Sequence, residues 1–321
     1  MKNTKCPVCE NPENRLLYSK EEDLAAEKFS FNILRCGNCS HLFSFPLSSS
    51  GELNSNYEET RAIFLDDLKK TNKKIKKWDK GWRKFILKEY LGYKKTPSRN
   101  SLKYLCAFFM SRFTSLTLVP FHGEGKILDV GCYNMLYLHL LKNLGWDVQG
   151  VEIDRNACRL AMELDISTFC GELENAGFAE ESFDVVRFNQ VLEHIPDPKK
   201  TINEAKRVLK KGGRLYISVP NARSLARLLF GDIWLGPAGH VQGFSPRSAT
   251  YLCRHLGFKI KSMRFNSSRN ILINGIDYFL KGMGKDISLK NRFTRYAIAS
   301  PLNFILNILH LSDTLTVEAE K

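Results

Sequence analysis

Two CxxC pairs, Cys6-Pro-Val-Cys9 and Cys36-Gly-Asn-Cys39, stand 26 residues apart. Two residues between thiolates let both sulfurs of one turn reach a single ion at ~2.3 Å, and a second such turn completes a tetrahedral S4 site. A segment this short buries little core, so the metal would supply folding energy, and with four protein ligands it would not be catalytic. Gly37 suits the tight turn of the second pair. Zinc is the expected ion and iron its chemical competitor. Two disulfides are disfavoured in a reducing compartment, and nothing thioredoxin-like surrounds the pairs. Cys106, Cys132, Cys158, Cys170 and Cys253 are scattered and are expected to be ordinary buried residues.

A second constellation begins at Asp129-Val130-Gly131-Cys132-Tyr133-Asn134-Met135, between an apolar run and a stretch of helical spacing. A strand entering a glycine turn and then a helix is how many α/β proteins open a nucleotide-type pocket. Glu152, followed by Ile153, ends the next strand 21 residues after Gly131, where a carboxylate can accept both hydroxyls of a ribose. Glu172 and Leu173 end a short third strand and offer a carboxylate and an apolar wall to an adenine. Asn189 closes a fourth, buried strand, with Gln190, Glu193 and His194 at the mouth of the sheet.

The elements that must position these groups follow from periodicity. Strand patterns at Lys126–Val130, Asp147–Ile153, Asp184–Phe188, Arg214–Val219 and Lys259–Phe265 alternate with helical patterns at Leu136–Leu144, Arg155–Leu164 and Pro198–Leu209. This rhythm predicts an α/β fold with a parallel, doubly wound sheet, completed by a final strand in "DTLTVEAEK". The expected organisation is a zinc-binding module over 1–50 ending in the "PLSSSG" linker, a basic helical connector over 51–121, and an α/β domain over 122–321 with a helical insertion at about 267–311. The connector is broken by Gly92 and Pro97.

The net charge of +14 is concentrated: Lys69 to Lys103 holds fourteen Lys and Arg against Asp79 and Glu89, a balance of +12. A basic groove assembled from several elements is thereby disfavoured, and nucleic acid is the least favoured partner. A solvated helical face, or a peripheral contact with an anionic membrane surface, accounts for the segment better. The start "MKNTKCPVCE" has no apolar signal core, and the apolar stretches 102–121 and 296–311 are interrupted by charge or too short to span a bilayer. A cytoplasmic protein with reduced thiols, peripheral to the inner membrane face at most, is the expectation.

In order, "ILDVGC", "VEID", "FAEESFDVVRFNQVLEHIPDP", "EAKRVLKKGGRLYISVPN" and "GHVQGFSPRSATYLCRHLGF" resemble a class I S-adenosylmethionine-dependent methyltransferase, over about 122–266. The nearest group is found among bacterial surface-polysaccharide and secondary-metabolite enzymes, some of which carry a four-cysteine zinc module like Cys6–Cys39. The resemblance implies a Rossmann-like seven-stranded sheet and methyl transfer to a sugar or other small-molecule acceptor. It implies that Asp129 and Gly131 border the methionine end of the cofactor, Glu152 the ribose, Glu172 and Leu173 the adenine, and Asn189 the sulfonium. The family turn is GxGxG, whereas Tyr133 and Met135 occupy its second and third glycine positions. Such residues neither free φ nor admit close backbone approach. A remodelled pocket that includes Cys132 and Tyr133, a weak one, and a non-catalytic protein that keeps the fold are the three readings.

Methyl transfer to a hydroxyl or an acidic carbon can use a base, and histidine is the natural one near neutral pH. His194 in "LEHIPDP" and His240 in "GPAGHVQGFSP" are the two candidates, each with a purely structural role as its alternative. Apolar helical patches at 223–236, 271–284 and 296–309 read as core or lid packing, or as part of the membrane contact. A nucleic-acid methyltransferase would carry an NPPY-type motif after the fourth strand; the chain reads "NQVLEH" there. Oligomeric state has no signature in the sequence.

Overall fold

Short apolar runs bounded by turn residues build the centre of the molecule. The computed structural model describes residues 4–24, 27–46, 57–78, 80–93, 101–112, 118–230, 240–266 and 299–321. Its seven-stranded sheet contains β4 (Lys126–Val130), β5 (Asp147–Glu152), β6 (Ser167–Cys170), β7 (Phe183–Asn189), β8 (Leu209–Pro220), β10 (Lys259–Asn266) and β11 (Thr314–Glu320) in the order β10-β11-β8-β7-β4-β5-β6. Ile127, Leu128, Val185, Val186 and Phe188 are fully buried, as expected of inner strands covered on both faces. The predicted strand positions agree with the observed ones to within a residue or two, except that β8 begins five residues earlier than the predicted Arg214. The sheet is mixed rather than wholly parallel: β4, β5 and β6 pair in parallel, but β11 runs antiparallel to β10. The order reverses at β4, so the carboxyl end of that strand is the switch point of the sheet.

The chain divides into two compact units. One comprises Glu52–Arg187, Glu204–Leu215 and Lys321. It holds α1 (Tyr57–Trp78), α2 (Gly81–Glu89) and α3 (Ser101–Arg112), followed by β4, α4 (Leu136–Asn143), β5, α5 (Arg155–Glu163) and β6. Helix α4 buries Leu138 and Leu141, and α5 is capped by Asp154, whose carboxylate accepts from Asn156 N at 2.7 Å and Ala157 N at 3.1 Å. Asp184 accepts from the N–H groups of Glu124 and Lys126, fixing the start of β4.

The other unit comprises Met1–Gly51, Phe188–Asn203 and Tyr216–Glu320. The cysteine module, expected as two turns, carries strands of its own: β1 (Asn14–Leu24), β2 (Glu27–Cys36) and β3 (Leu42–Phe45) form an antiparallel meander. Its far edge is completed by β9 (Gln242–Gly243), which pairs with β3 through Leu42↔Gly243 and Phe43↔Gln242. Alternation in β1 and β2 is obscured by their many charged residues, which hid these strands in the sequence. Also in this unit are α7 (Leu225–Phe230), α8 (Pro246–His255) and α9 (Ala299–Ile308), with α6 (Pro198–Val208) crossing into the other unit at Glu204. Helix α8 begins with a Ser245/Ser248 capping box and Pro246.

Of the proposed insertion only 299–311 is described, as α9 and the turn after it; 267–298, with the apolar patch 271–284, lies outside the described residues. So do linker residues 47–51, Pro97, and 231–236 of the patch that contains α7. Among the scattered cysteines the expectation fails twice. Cys158 and Cys170 form a disulfide between α5 and the end of β6, which bring their Cα atoms to 6.0 Å, and Cys106 is exposed on α3.

Candidate functional site

The turn after β4 keeps the backbone of a glycine loop without its glycines. Gly131, Tyr133 and Met135 have φ of 69°, 45° and 57°, so all three positions of the GxGxG pattern are left-handed. For a tyrosine and a methionine this costs roughly 1–2 kcal/mol each. The Gly131 N–H donates to Val151 O at 2.8 Å, the Met135 N–H to Cys132 O at 3.0 Å, and the Tyr133 N–H to Glu152 Oε2 at 2.7 Å. Met135 side chain is fully buried, with its sulfur 3.8 Å from Thr168 Oγ1. Burying a methionine contributes about 1.5–3 kcal/mol, enough to offset the backbone strain at that position. Tyr133 is 56% exposed and has no comparable compensation in packing; its N–H bond to Glu152 holds it instead. Gly150 makes room for the turn, because a Cβ there would lie 2.6 Å from Cys132 Sγ. Burial pushes the Cys132 thiol well above its usual pKa, with Asp129 and Glu152 adding to the effect.

Glu152 is 7% exposed and is the organiser of this turn. Its Oε2 takes the Tyr133 N–H, and its Oε1 takes the N–H groups of Ile153 at 2.8 Å and Asp154 at 3.0 Å. Three of about four lone-pair positions are thereby filled, leaving Oε2 with capacity for one further donor. Ile153 is exposed beside it. Asp129 is held from the other side: Arg187 Nη1 lies 2.8 Å from Oδ1 and 2.9 Å from Oδ2, and the guanidinium stacks on Tyr137 at 3.8 Å. Burial raises the Asp129 carboxyl pKa against the opposing pull of Arg187. Arg187 was not singled out from the sequence; its signal was a cation between apolar residues in the buried run "VVRF". Glu172 is exposed at the start of a single 3-10 turn, Leu173–Asn175, in which Leu173 is buried.

The other unit gathers a second group. Asn189 and Gln190 are exposed at the end of β7, Gln190 with φ of 57° and its N–H on Ser218 O at 2.8 Å. The following 3-10 turn, Leu192–His194, carries Glu193 and His194. Ligand atoms of Glu193, His194 and His240 all lie within 4.8 Å of one another, and the two imidazole rings meet edge to face at 4.6 Å. Glu193 is 1% exposed, and neither carboxylate oxygen has a hydrogen-bond partner among the described residues. Burial pushes the Glu193 carboxyl up to about 8 and, with His194 beside it, the His240 imidazole down to about 4. The backbone here is pinned: Val241 N donates to Glu193 O, and Gln242 Nε2 donates to Ile195 O and Pro196 O. Since Gln242 donates there through its amide nitrogen, its Oε1 accepts the Nε2–H of buried His41 at 2.7 Å. Glu193 and His194 are adjacent in sequence, but the approach of His240 is a tertiary fact that spacing does not reveal.

The four cysteines converge as the CxxC spacing predicts. Cys6 and Cys39 sulfurs are 3.7 Å apart and Cys9 and Cys36 sulfurs 3.3 Å, close to the ~3.8 Å edge of a tetrahedron with ~2.3 Å bonds. Hydrogen bonding from Cys39 brings the Cys6 thiol down to about 6. The residues that turn left-handed are Glu10 and Ser40, each directly after the second cysteine of its pair. Gly37 serves differently: a Cβ there would press on Glu13 O at 3.2 Å.

An α/β sheet with a left-handed turn and a carboxylate after the next strand defines a Rossmann-like, nucleotide-cofactor architecture. The chain belongs to the methyltransferase family: residues 93–262, more than half of its length, match the family model described as a methyltransferase domain. A ubiquinone biosynthesis O-methyltransferase of Idiomarina loihiensis is 33% identical over 143 residues, which cover 41% of this chain and 57% of that protein. One from Coxiella burnetii is 25% identical over 181 residues, covering 49% and 77%. The chain spans about half the length of the curated relatives it matches first, 57% and 51%. A solved S-adenosylmethionine-dependent methyltransferase from Archaeoglobus fulgidus aligns with a TM-score of 0.44 at 19% identity, over 70% of this chain and 96% of that one.

Proposed function

We propose that the chain binds S-adenosylmethionine at the turn after β4 and transfers its methyl group to a hydroxyl of a small-molecule acceptor, a sugar among the candidates. The observation that carries this reading is the backbone of 131–135, left-handed at all three family glycine positions and tied to Glu152. S-adenosylmethionine supplies an electrophilic methyl on a sulfonium. Gly131, Cys132 and Tyr133 line the turn, Glu152 Oε2 accepts one ribose hydroxyl, Ile153 borders the sugar, and Glu172 and Leu173 flank the adenine. Asp129, neutralised by Arg187, shapes the methionine end, and Asn189 and Gln190 are assigned to the sulfonium end. His194 or His240 takes the acceptor proton; burial lowers the His240 pKa to about 4, which keeps it neutral but makes it a weak base.

Cys6, Cys9, Cys36 and Cys39 hold a structural zinc ion in this reading. Metal analysis is expected to find one zinc per chain that Cys36→Ser loses; no zinc or iron in the wild type would overturn it. The acceptor is reached at an anionic lipid surface, a reading supported by exposed Lys73, Lys74, Lys76 and Lys77 on α1 and exposed Leu102, Leu105 and Phe109 on α3. Among the described residues no helix is long and apolar enough to cross a membrane. Flotation with anionic vesicles is expected to carry part of the protein; none in the lipid fraction removes this reading. The main test is turnover: with S-adenosylmethionine and a panel of hydroxylated acceptors, S-adenosylhomocysteine is expected to accumulate for at least one. Failure to bind S-adenosylmethionine at millimolar concentration would overturn the proposal.

A further inference from the structure

A carboxylate buried without a partner is unfavourable; it is tolerated when protonated or when something outside the chain satisfies it. Glu193 is that case, with both oxygens unpartnered among the described residues although its own backbone oxygen is firmly bonded to Val241. The groups it meets are two imidazoles. The three ligand atoms lie within 4.8 Å of one another, against the ~3.0–3.4 Å that neighbouring ligands span on an ion with ~2.1 Å bonds, so rotation of the side chains would bring the set together around an ion.

We propose that Glu193, His194 and His240 form a second metal site, for a divalent transition ion. One carboxylate and two imidazoles suit manganese, iron, cobalt or zinc and leave the remaining coordination positions open. This separates it from the four-cysteine cluster, whose donors fill a tetrahedron. The outer supports are already built: Gln242 fixes the carbonyls of Ile195 and Pro196 just after His194, and His41 fixes Gln242. The open positions would receive oxygen donors of the acceptor, and with both imidazoles engaged as ligands the ion, by lowering the pKa of the acceptor hydroxyl, would take over the part otherwise given to a histidine base. That role rests on the methyl-transfer reading; the binding of the ion does not.

The test titrates the full chain, treated with EDTA until at most one zinc per chain remains on the cysteines, with Mn2+, following the free-ion signal by electron paramagnetic resonance. Manganese discriminates because it disfavours a thiolate site. One Mn2+ per chain is expected, with affinity at least tenfold weaker in Glu193→Gln and in His240→Asn. Should Glu193→Gln fail to fold, His194→Asn at the exposed position carries the same expectation. No Mn2+ binding by the wild type up to millimolar ion, or unchanged affinity in the folded variants, would overturn the site. Mn2+ binding without any S-adenosylhomocysteine binding would support this site and count against the methyl-transfer reading, so the two fail separately.

Discussion

The turn after β4 and the turn after β7 treat their carboxylates in opposite ways. In the first, Glu152 accepts three backbone N–H groups and Asp129 is gripped by Arg187, so the protein satisfies nearly all of its own polar atoms. In the second, Glu193 is more deeply buried and neither oxygen is satisfied among the described residues. The difference separates two jobs. Satisfied groups hold a strained backbone in shape before any ligand arrives, whereas unsatisfied ones gain most from a ligand that completes them.

Breaking the satisfied side has the largest expected effect. Arg187→Ala leaves Asp129 buried and unpaired, and should destabilise the fold by about 3–5 kcal/mol in denaturant unfolding. A loss under about 1 kcal/mol would mean that the pair is not what fixes the carboxylate. Met135→Gly relieves a left-handed residue but empties its fully buried position, so a net loss of about 2 kcal/mol is expected. Glu193→Gln removes no existing bond and should leave stability within about 1 kcal/mol of the wild type; a large loss would show that the carboxylate has a structural partner. The smallest change is Tyr133→Gly, which gives up little packing and removes the strain at φ 45°, for a gain below about 1 kcal/mol in unfolding free energy. A loss there would mean that the tyrosine ring contributes contacts of its own.

Much of the first turn was legible in the sequence. The spacing from Gly131 to Glu152 located the carboxylate, and apolar runs located the strands that carry both. Replacement of two glycines left the form of the turn open in the sequence, and in the structure both replaced positions are left-handed. Burial of Met135 outweighs its strain, and burial is a tertiary property that a local pattern does not contain. Arg187 shows the same limit: its charge was visible, but its partner lies on a neighbouring strand 58 residues away. The four-cysteine cluster was legible because each CxxC spacing sets the geometry of its own turn, while the meeting of the two turns follows from the pairing of β1 with β2. Strands β1 to β3 were not, since their charged residues mask alternation, and the completing strand β9 lies some two hundred residues downstream. His194 and His240 were each legible as candidates, but their meeting with Glu193 depends on the Val241 and Gln242 bonds that pin the two segments.

The central claim is that a turn without its second and third glycines still forms a cofactor site organised by Glu152. Calorimetric titration of the full chain with S-adenosylhomocysteine, wild type against Glu152→Ala, tests it most directly. One ligand per chain is expected, with affinity at least tenfold weaker in the variant. Absence of binding at millimolar ligand, or equal affinity in the two proteins, would contradict the account.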